Sequence, residues 1–319
     1  MAVAAHVEDF PAFFARMTHE PVYVILGVQG SGTNLLGKLL TRLSGFSVLQ
    51  DYSLVVRAGA RLRADDGDDA IERQFRHLCA EIDPPGWKRK LKKCLVHRSE
   101  ALAGMEDAFA EARPRTPAEL VRFVYAYRAY RTGLSTMAIK SDDLWEQMDA
   151  LDRLIPNRRI ILLTRDFRDN VMSMCGKNFG PIEPVVAAHY VKSRFAHYEA
   201  EYRRADASGF HVRYEDILSA PGPALHALCA HFDLPVLVDP AGFASEFREG
   251  KVRRWASLAR RDLAWCESVL GDELDRYGYG REARGEAPPG PVAWYGAVAR
   301  DIARRVPQKI GHFAKQLRA

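Results

Sequence analysis

The segment from Val22 to Leu43 constrains the fold more than any other part of the chain. It opens with a β-branched apolar run that ends at Gly27, continues through a glycine-rich turn to Asn34, and closes with leucines at helical spacing. This order predicts a buried strand, a tight loop and a helix. In such a loop, small residues let backbone N–H groups converge on an anion at the positive end of the helix. The segment therefore predicts a phosphate site.

The loop departs from the Walker A pattern GxxxxGK[ST] at one informative position. The residue after Gly32 is Thr33, so the lysine that would reach the β- and γ-phosphates of a nucleoside triphosphate is missing. This departure disfavours an ATP or GTP hydrolase, and it also counts against a small-molecule kinase, which remains an alternative. A purely structural turn between strand and helix is a further alternative.

A second apolar run, Arg159 to Thr164, is followed by a charged turn and a predicted helix. Arg165 ends this strand and Ser173 stands two helical turns later, so we expect both to face one crevice. Ligands of open parallel sheets bind outside the carboxyl ends of the strands, and arginine binds phosphate through two parallel hydrogen bonds. The alternative is that Arg165 belongs to a surface network with the neighbouring acids.

Continuous apolar strands that alternate with helices are typical of a parallel sheet covered by helices on both faces. The sequence therefore predicts an α/β fold of this kind. With 319 residues and 47% hydrophobic content, the chain can bury the core of one large α/β domain. Three prolines and a glycine at residues 288–291 break the pattern. We predict an α/β domain over residues 1–287 and a basic helical tail over residues 288–319.

The formal net charge of +5 is concentrated in the segment that begins with Arg281, and the rest of the chain is neutral as a whole. No nucleic-acid partner is therefore expected. Within the tail, Trp294, Val298 and Ile302 recur at four-residue spacing, with basic residues available for the other side. This pattern predicts an amphipathic helix that makes peripheral membrane contact. The alternative is a helix packed on the domain with a solvated basic face.

Nowhere do about 18 uncharged apolar residues occur in succession. We expect a cytoplasmic protein, with peripheral contact at the inner membrane surface through the tail. The five cysteines are scattered without CxxC spacing, so they predict neither a disulfide framework nor a zinc site.

Taken together, these segments resemble the family of sulfotransferases that use 3′-phosphoadenosine 5′-phosphosulfate (PAPS). The loop GVQGSGTNLL resembles the family's 5′-phosphosulfate loop, and TRDFRDNVMSM resembles its 3′-phosphate motif. Ile139 to Ser141, Arg213 to Ile217 and Arg248 to Trp255 resemble three further segments, in the family's order. The resemblance implies a P-loop-like fold, PAPS as donor, its desulfated form PAP as product, and no metal requirement.

The resemblance also implies the site residues. For catalysis it implies Asp51 as the general base, Lys140 as the cation beside the donor, and Asp142 as a reserve base. His97 is a weaker candidate, because a lone histidine is more often structural. Tyr214 is expected either to pack on the adenine or to fill the core. The implied donor-binding residues are Gln29, Gly30, Ser31, Gly32, Thr33, Asn34, Arg165, Ser173, Tyr214, Arg248, Gly250 and Lys251.

Two positions depart from the family's pattern. Gly30 stands where a lysine or arginine usually lies beside the bridging oxygen, and Glu249 stands where a lysine would help to hold the 3′-phosphate. We therefore expect Lys140 to supply the missing charge, and Gly30→Lys to restore a loop cation. The alternative is a catalytically impaired relative that binds nucleotide or glycan without turning it over.

The acceptor is expected to be a hydroxyl-bearing glycan or glycolipid. This expectation follows from a bacterial-looking composition rich in Ala, Arg and Asp, together with the basic tail. The predicted reaction is therefore carbohydrate sulfation.

Overall fold

The computed structural model describes residues 8–49, 53–82, 104–141, 143–178, 180–246, 252–283 and 287–318. At the centre of the described residues is one sheet of five parallel strands, in the order β2-β3-β1-β4-β5. The strands are β1 (Val22–Leu26), β2 (Phe46–Leu49), β3 (Thr136–Lys140), β4 (Arg158–Thr164) and β5 (Gly209–Arg213).

Helices cover both faces of this sheet, which confirms the predicted α/β fold class. In chain order they are α1 (Phe10–Met17), α2 (Thr33–Ser44), α3 (Leu54–Ala60), α4 (Asp68–Ile82), α5 (Met105–Ala112), α6 (Pro117–Arg131), α7 (Met148–Leu154), α8 (Phe167–Cys175), α9 (Pro184–Ala205), α10 (Tyr214–Ser219), α11 (Pro221–His231), α12 (Arg260–Arg276) and α13 (Pro291–Arg318). Short 3-10 helices lie at Leu144–Gln147, Asp206–Ser208, Pro240–Glu246 and Arg254–Ser257.

Alternate residues of β1 enter two separate cores, because successive side chains of a strand point to opposite faces. Val24 and Leu26 join the core under α1, α3, α6 and α9, whereas Tyr23 and Ile25 join the core under α2 and α11. All five residues of β1 are buried. A continuous apolar run is therefore what a central strand of a doubly covered sheet requires, as the sequence predicted.

The two strands predicted to carry the phosphate motifs are neighbours in the sheet. β1 pairs with β4 in parallel, and Leu26 lies beside Leu162. On its other side β1 pairs with β3, where Ile25 lies beside Lys140. The loops that follow β1, β3 and β4 therefore emerge at one edge of the sheet, as expected for parallel strands.

The C-terminal helix α13 is held on the body by buried acids. The Asp301 carboxylate, 2% exposed, accepts hydrogen bonds from the backbone N–H groups of Ile182 and Glu183, at 2.5 and 3.1 Å, just before α9. The Glu183 side chain in turn binds Arg300 and Arg304 of α13. Part of the basic face of this helix is therefore neutralised by an ion-pair cluster.

The apolar stripe predicted for this helix is only partly the packed face. Trp294 lies 4.5 Å from the ring of His189, but Ile302 is 58% exposed, together with Val292 and Tyr295. Four-residue steps advance about 40° around a helix with 3.6 residues per turn, so Ile302 has turned away from the body. Across the described ranges no helix combines the length and apolar character needed to cross a membrane.

Candidate active site

The glycine-rich loop between β1 and α2 adopts backbone conformations that require glycine. Gly30 and Gly32 have φ values of 91° and 98°, in the left-handed region. A Cβ atom on Gly30 would lie 2.5 Å from the Oγ of Ser173, and one on Gly32 would lie 2.5 Å from the ring of Tyr214. The loop is thus pressed directly against the two other segments that sequence reasoning assigned to donor binding.

This close approach corrects one expectation. Gly30→Lys was expected to restore a loop cation, but the added Cβ would also lie 2.7 Å from the Cβ of Ser173, which is fixed to the backbone of α8. A side chain at position 30 therefore requires movement of the loop or of α8. The absence of a basic residue at this position is tied to how tightly the two segments pack.

Arg165 joins the end of β4 to the same loop. One terminal nitrogen of its guanidinium donates to the carbonyl oxygen of Gly30 at 2.8 Å, and the other donates to the carboxylate of Asp169 at 3.2 Å. The guanidinium carbon lies 5.0 Å from the centre of the Tyr214 ring. Arg165 is only 5% exposed, so the proposed surface network is instead a buried one that touches the loop.

Asn170 is a loop contact that sequence reasoning missed. Its side-chain amide donates to the hydroxyl of Ser31 at 3.0 Å and to the carbonyl oxygen of Gln29 at 3.3 Å. The available signal was its position on α8, one turn before Ser173 and therefore on the same side of the helix. Asn170 is 1% exposed, so these bonds form away from water and fix the shape of the loop.

Asp169 connects this cluster to a late segment of the chain. Its carboxylate accepts from the backbone N–H groups of Arg253 and Trp255, at 2.9 and 3.1 Å, as well as from Arg165. Burial raises the pKa of Asp169, because desolvation of the charge outweighs the opposing effect of the Arg165 guanidinium. The described end of the late segment, at Arg253 and Trp255, is thereby bonded to α8 next to Arg165.

Arg168 is the centre of a second buried network, next to that of Arg165 and Asp169. Arg168 forms ion pairs with Asp166 and with Glu267, at 2.7 and 2.5 Å, and its guanidinium stacks 3.8 Å from the ring centre of Trp255. The Glu267 carboxylate also accepts from the backbone N–H groups at residues 282 and 283. These bonds satisfy the buried charges and attach α12 to the start of α8.

The side chain of Gln29 is hydrogen-bonded to α9. The hydroxyl of Tyr190 donates to the side-chain oxygen of Gln29 at 3.1 Å. The guanidinium of Arg194 lies between two aromatic rings, 3.8 Å from the centre of Tyr190 and 4.4 Å from the centre of Trp145. These three planar groups stack beside the side chain of Gln29. Nothing in the local sequence indicated the stack, since its members come from two separate segments, α9 and the 3-10 helix at Leu144–Gln147.

Lys140 lies on the other side of the loop, at the end of β3. Its side chain is 2% exposed and borders a cavity of about 350 Å³ that it shares with Thr33 and Asn34 of the loop. Next to it, the hydroxyls of Ser141 and Ser53 are 2.8 Å apart, so the segments that follow β3 and β2 meet there. A buried ammonium close to a phosphate loop can stabilise negative charge that develops nearby.

The structure therefore brings together Gln29, Gly30, Ser31, Gly32, Thr33, Asn34, Arg165, Ser173 and Tyr214, with Lys140 alongside. Asp51, Asp142, Arg248, Gly250 and Lys251 lie outside the described residues, as do His97 and Glu249. Tyr214 is 8% exposed and packs beneath Gly32 and Arg165, which favours a supporting role within the core.

A larger cavity of about 560 Å³ lies between α4 and α5. It shares no lining residue with the loop cluster, and it is bordered by residues such as Phe75, Phe109 and Arg113. Among the described residues, no group of three or more His, Cys, Asp or Glu side chains is placed to hold a metal ion.

Several solved structures are similar to this chain. Sulfotransferase STF9 from Mycobacterium avium is 14% identical, with a TM-score of 0.49 over 86% of this chain and 83% of that one. The sulfotransferase domain from the curacin biosynthetic pathway is 14% identical, with a TM-score of 0.49 over 82% and 99%. The sulfotransferase domain of the Synechococcus PCC 7002 olefin synthase is 16% identical, with a TM-score of 0.49 over 82% and 95%.

No curated protein matches the chain. A family model described as "Sulfotransferase family" matches residues 21–239, which is more than half of the 319 residues and includes the glycine-rich loop, Lys140, Arg165 and Tyr214. The chain therefore belongs to the sulfotransferase family.

Proposed function

We propose that this chain transfers a sulfuryl group from PAPS to a hydroxyl group of a glycan or glycolipid. The observation that carries the proposal is the contact between the two phosphate motifs. Arg165 and Ser173, from the segment after β4, both meet Gly30 in the loop after β1. One nucleotide with phosphates at two positions can then be gripped by both segments at once.

The two segments bind different ends of the donor. The loop's backbone N–H groups, at the positive end of α2, hold the 5′-phosphosulfate. Arg165 and Ser173 hold the 3′-phosphate, with Arg248, Gly250 and Lys251 completing that side as the resemblance implies. Asp169 orients the Arg165 guanidinium by accepting one of its hydrogen bonds, and Asn170 keeps the loop in shape.

In the transfer step, the acceptor oxygen forms a bond to sulfur while the bond between sulfur and the bridging phosphate oxygen breaks. The proton of the acceptor hydroxyl passes to a base, which we assign to Asp51, with Asp142 as the second candidate. Negative charge develops on the departing phosphate, and the Lys140 ammonium stabilises it. Burial of Lys140 strengthens this interaction, because the surroundings screen the charge less than water does. No step requires a metal ion.

A protein that binds donor or glycan without catalysis is the second candidate, and Gly30 favours it. The contact between Gly30 and Ser173 leaves no room for the usual loop cation. The presence of a buried lysine beside the loop favours catalysis instead. Labelled-sulfate transfer from PAPS into a panel of glycans, glycolipids and phenols separates the two. The small-molecule kinase is disfavoured by membership of the sulfotransferase family.

Calorimetry with PAP and with adenosine 5′-phosphate tests the donor assignment. We expect PAP to bind far more tightly, because only PAP carries a 3′-phosphate for Arg165. Arg165→Ala should remove about 1.5 to 3 kcal/mol of that preference, the usual contribution of a charged hydrogen bond. Arg73→Ala, at an exposed position on α4, is the control for loss of one arginine. Equal affinity of the native chain for the two nucleotides would refute the proposal.

We also propose a cytoplasmic location, with peripheral contact to the inner membrane surface through α13. Val292, Tyr295 and Ile302 are exposed on this helix, and Arg300 and Arg304, which form ion pairs with Glu183, stay partly exposed on it. Such a surface suits an anionic bilayer. Co-sedimentation with phosphatidylglycerol vesicles tests the contact, and Ile302→Glu should weaken it. Equal sedimentation with neutral vesicles would contradict a role for the basic residues.

A further inference from the structure

The cavity beside Lys140 is strongly basic. It lies between α2, α6 and the edge of the sheet formed by β2 and β3, and we refer to it as the basic cavity. Three of its lining residues are cationic, three carry neutral polar side chains, and none of the eight described residues is acidic. They are Thr33, Asn34, Gly37, Lys38, Thr41, Val48, Arg128 and Lys140.

The position of this cavity relates it to the acceptor. The donor-binding segments follow β1 and β4, whereas the basic cavity lies toward β2 and β3, on the opposite side of the loop. Transfer of a group between two oxygens proceeds with the attacking and leaving oxygens roughly in line. If the nucleotide occupies the β4 side, the acceptor must approach from the β3 side. Thr33 follows the glycine-rich loop directly and Lys140 ends β3, and both line the cavity, so the cavity adjoins the loop that is proposed to hold the phosphosulfate.

The lining groups select for an anion. Arg128 is fixed in place because its Nε donates to the carbonyl oxygen of Val48 at 3.3 Å. Lys38 is exposed on α2, whereas Lys140 lies buried. Thr33 and Asn34 belong to the first turn of α2, where the helix dipole is positive. A neutral ligand would gain little from Lys38 and Arg128, which line the same cavity, whereas a phosphate, sulfate or carboxylate would form charge-assisted hydrogen bonds with them. Lys140, which also lines the cavity, is the cation assigned above to the departing phosphate.

We propose that the basic cavity binds an anionic group carried by the acceptor, a phosphate, sulfate or carboxylate close to the hydroxyl that receives the sulfuryl group. This inference rests on the proposed function and narrows it. The acceptor is then a glycan or glycolipid with an acidic substituent, and the cavity sets the distance between that substituent and the reacting hydroxyl.

Protection of Lys38 from acetylation tests the cavity without any need for turnover. The protein, saturated with PAP to fill the donor site, is treated with an amine-acetylating reagent, and labelling of each lysine is followed by mass spectrometry. Glucose-6-phosphate and glucuronate should each slow labelling of Lys38, whereas glucose should not. Lys177, exposed in the turn that follows α8 and absent from the cavity lining, is the internal control and should label at one rate throughout.

Calorimetry of glucose-6-phosphate binding to the same PAP complex compares two matched variants with the native chain. Lys38→Glu should weaken binding by about tenfold or more, because it replaces a charge-assisted hydrogen bond with a repulsion. Arg73→Gln, which removes one charge from an exposed part of α4, should bind like the native chain. Lys38 is exposed, so its replacement leaves the core intact, and the heat of PAP binding verifies that each variant is folded.

The result that overturns the inference is unchanged labelling of Lys38 with every anion, in a protein that binds PAP normally. Equal protection by glucose would do the same, since it would show that charge is not what the cavity recognises. The labelling experiment is also carried out without nucleotide, so that it tests the cavity independently of the donor. Failure of the protein to bind PAP would therefore count against the proposed donor and not against the cavity. The comparison of phosphate with carboxylate probes identifies the preferred anion.

Discussion

Gly30→Ala should damage the protein out of proportion to the single methyl group that it adds. The substitution forces an L-residue to adopt a φ of 91°, and it places a Cβ 2.5 Å from the Oγ and 2.7 Å from the Cβ of Ser173. The left-handed backbone costs about 1 to 2 kcal/mol, and overpacking costs about 1 to 3 kcal/mol. Together they predict that the free energy of unfolding falls by about 2 to 5 kcal/mol.

Urea denaturation measures this loss against a glycine with no such contacts. Gly67 has nothing within 4 Å of an added Cβ and no positive φ, so Gly67→Ala should be neutral or slightly stabilising, by up to about 1 kcal/mol. Adding Ser173→Gly to Gly30→Ala should recover the overpacking part, because it removes both clashing atoms, and should leave the backbone part. The reasoning is refuted if Gly30→Ala is as stable as the native chain, or if Ser173→Gly gives no recovery.

Three further predictions concern catalysis and pH. Lys140→Ala should lower kcat about a hundredfold or more with little change in donor affinity, and Asp51→Asn should behave alike; near-normal turnover in a sulfate-transfer assay would remove either residue from its role. Turnover should persist in EDTA, and a loss restored by magnesium would contradict the metal-free step. Burial, aided by Arg213, lowers the pKa of His211, so the folded chain binds that proton less tightly than the unfolded chain does. The free energy of unfolding should therefore fall as pH drops below the ordinary histidine value of about 6.5, and less steeply in His211→Gln, as followed by urea denaturation at pH 5 to 8.

The strands, and the turns that follow β1 and β4, were predictable because their signals are local. A run such as Val22–Leu26 is apolar at every position because both faces of the sheet are covered, and glycine marks the turn that follows. The same holds for β4 and the arginine at its end. The resemblance of the motifs added the family, which the family match over residues 21–239 confirms, and the five-stranded parallel sheet confirms the predicted fold class.

Contacts between distant segments could not be predicted in the same way. The bond from Tyr190 to Gln29 joins residues 161 positions apart, and the basic cavity depends on Arg128 reaching Val48 from a separate helix. Ser173 was assigned to donor binding from its motif. Its close contact with Gly30, however, depends on how near α8 lies to the loop. Such distances are set by packing of the whole core, which no spacing rule encodes.

The attachment of α13 has a consequence for how the chain reaches its final state during synthesis. Two contacts join α13 to the start of α9 across more than a hundred positions of sequence. The Glu183 carboxylate binds arginines of α13, and the Asp301 carboxylate binds the backbone N–H groups just before α9. A nascent chain that ends at residue 287 would leave Glu183, 9% exposed, without its arginines, and the backbone N–H groups before α9 without Asp301. The helix α9, whose Tyr190 contacts Gln29 of the glycine-rich loop, therefore acquires the last contacts at its N-terminus only after a late part of the chain has left the ribosome.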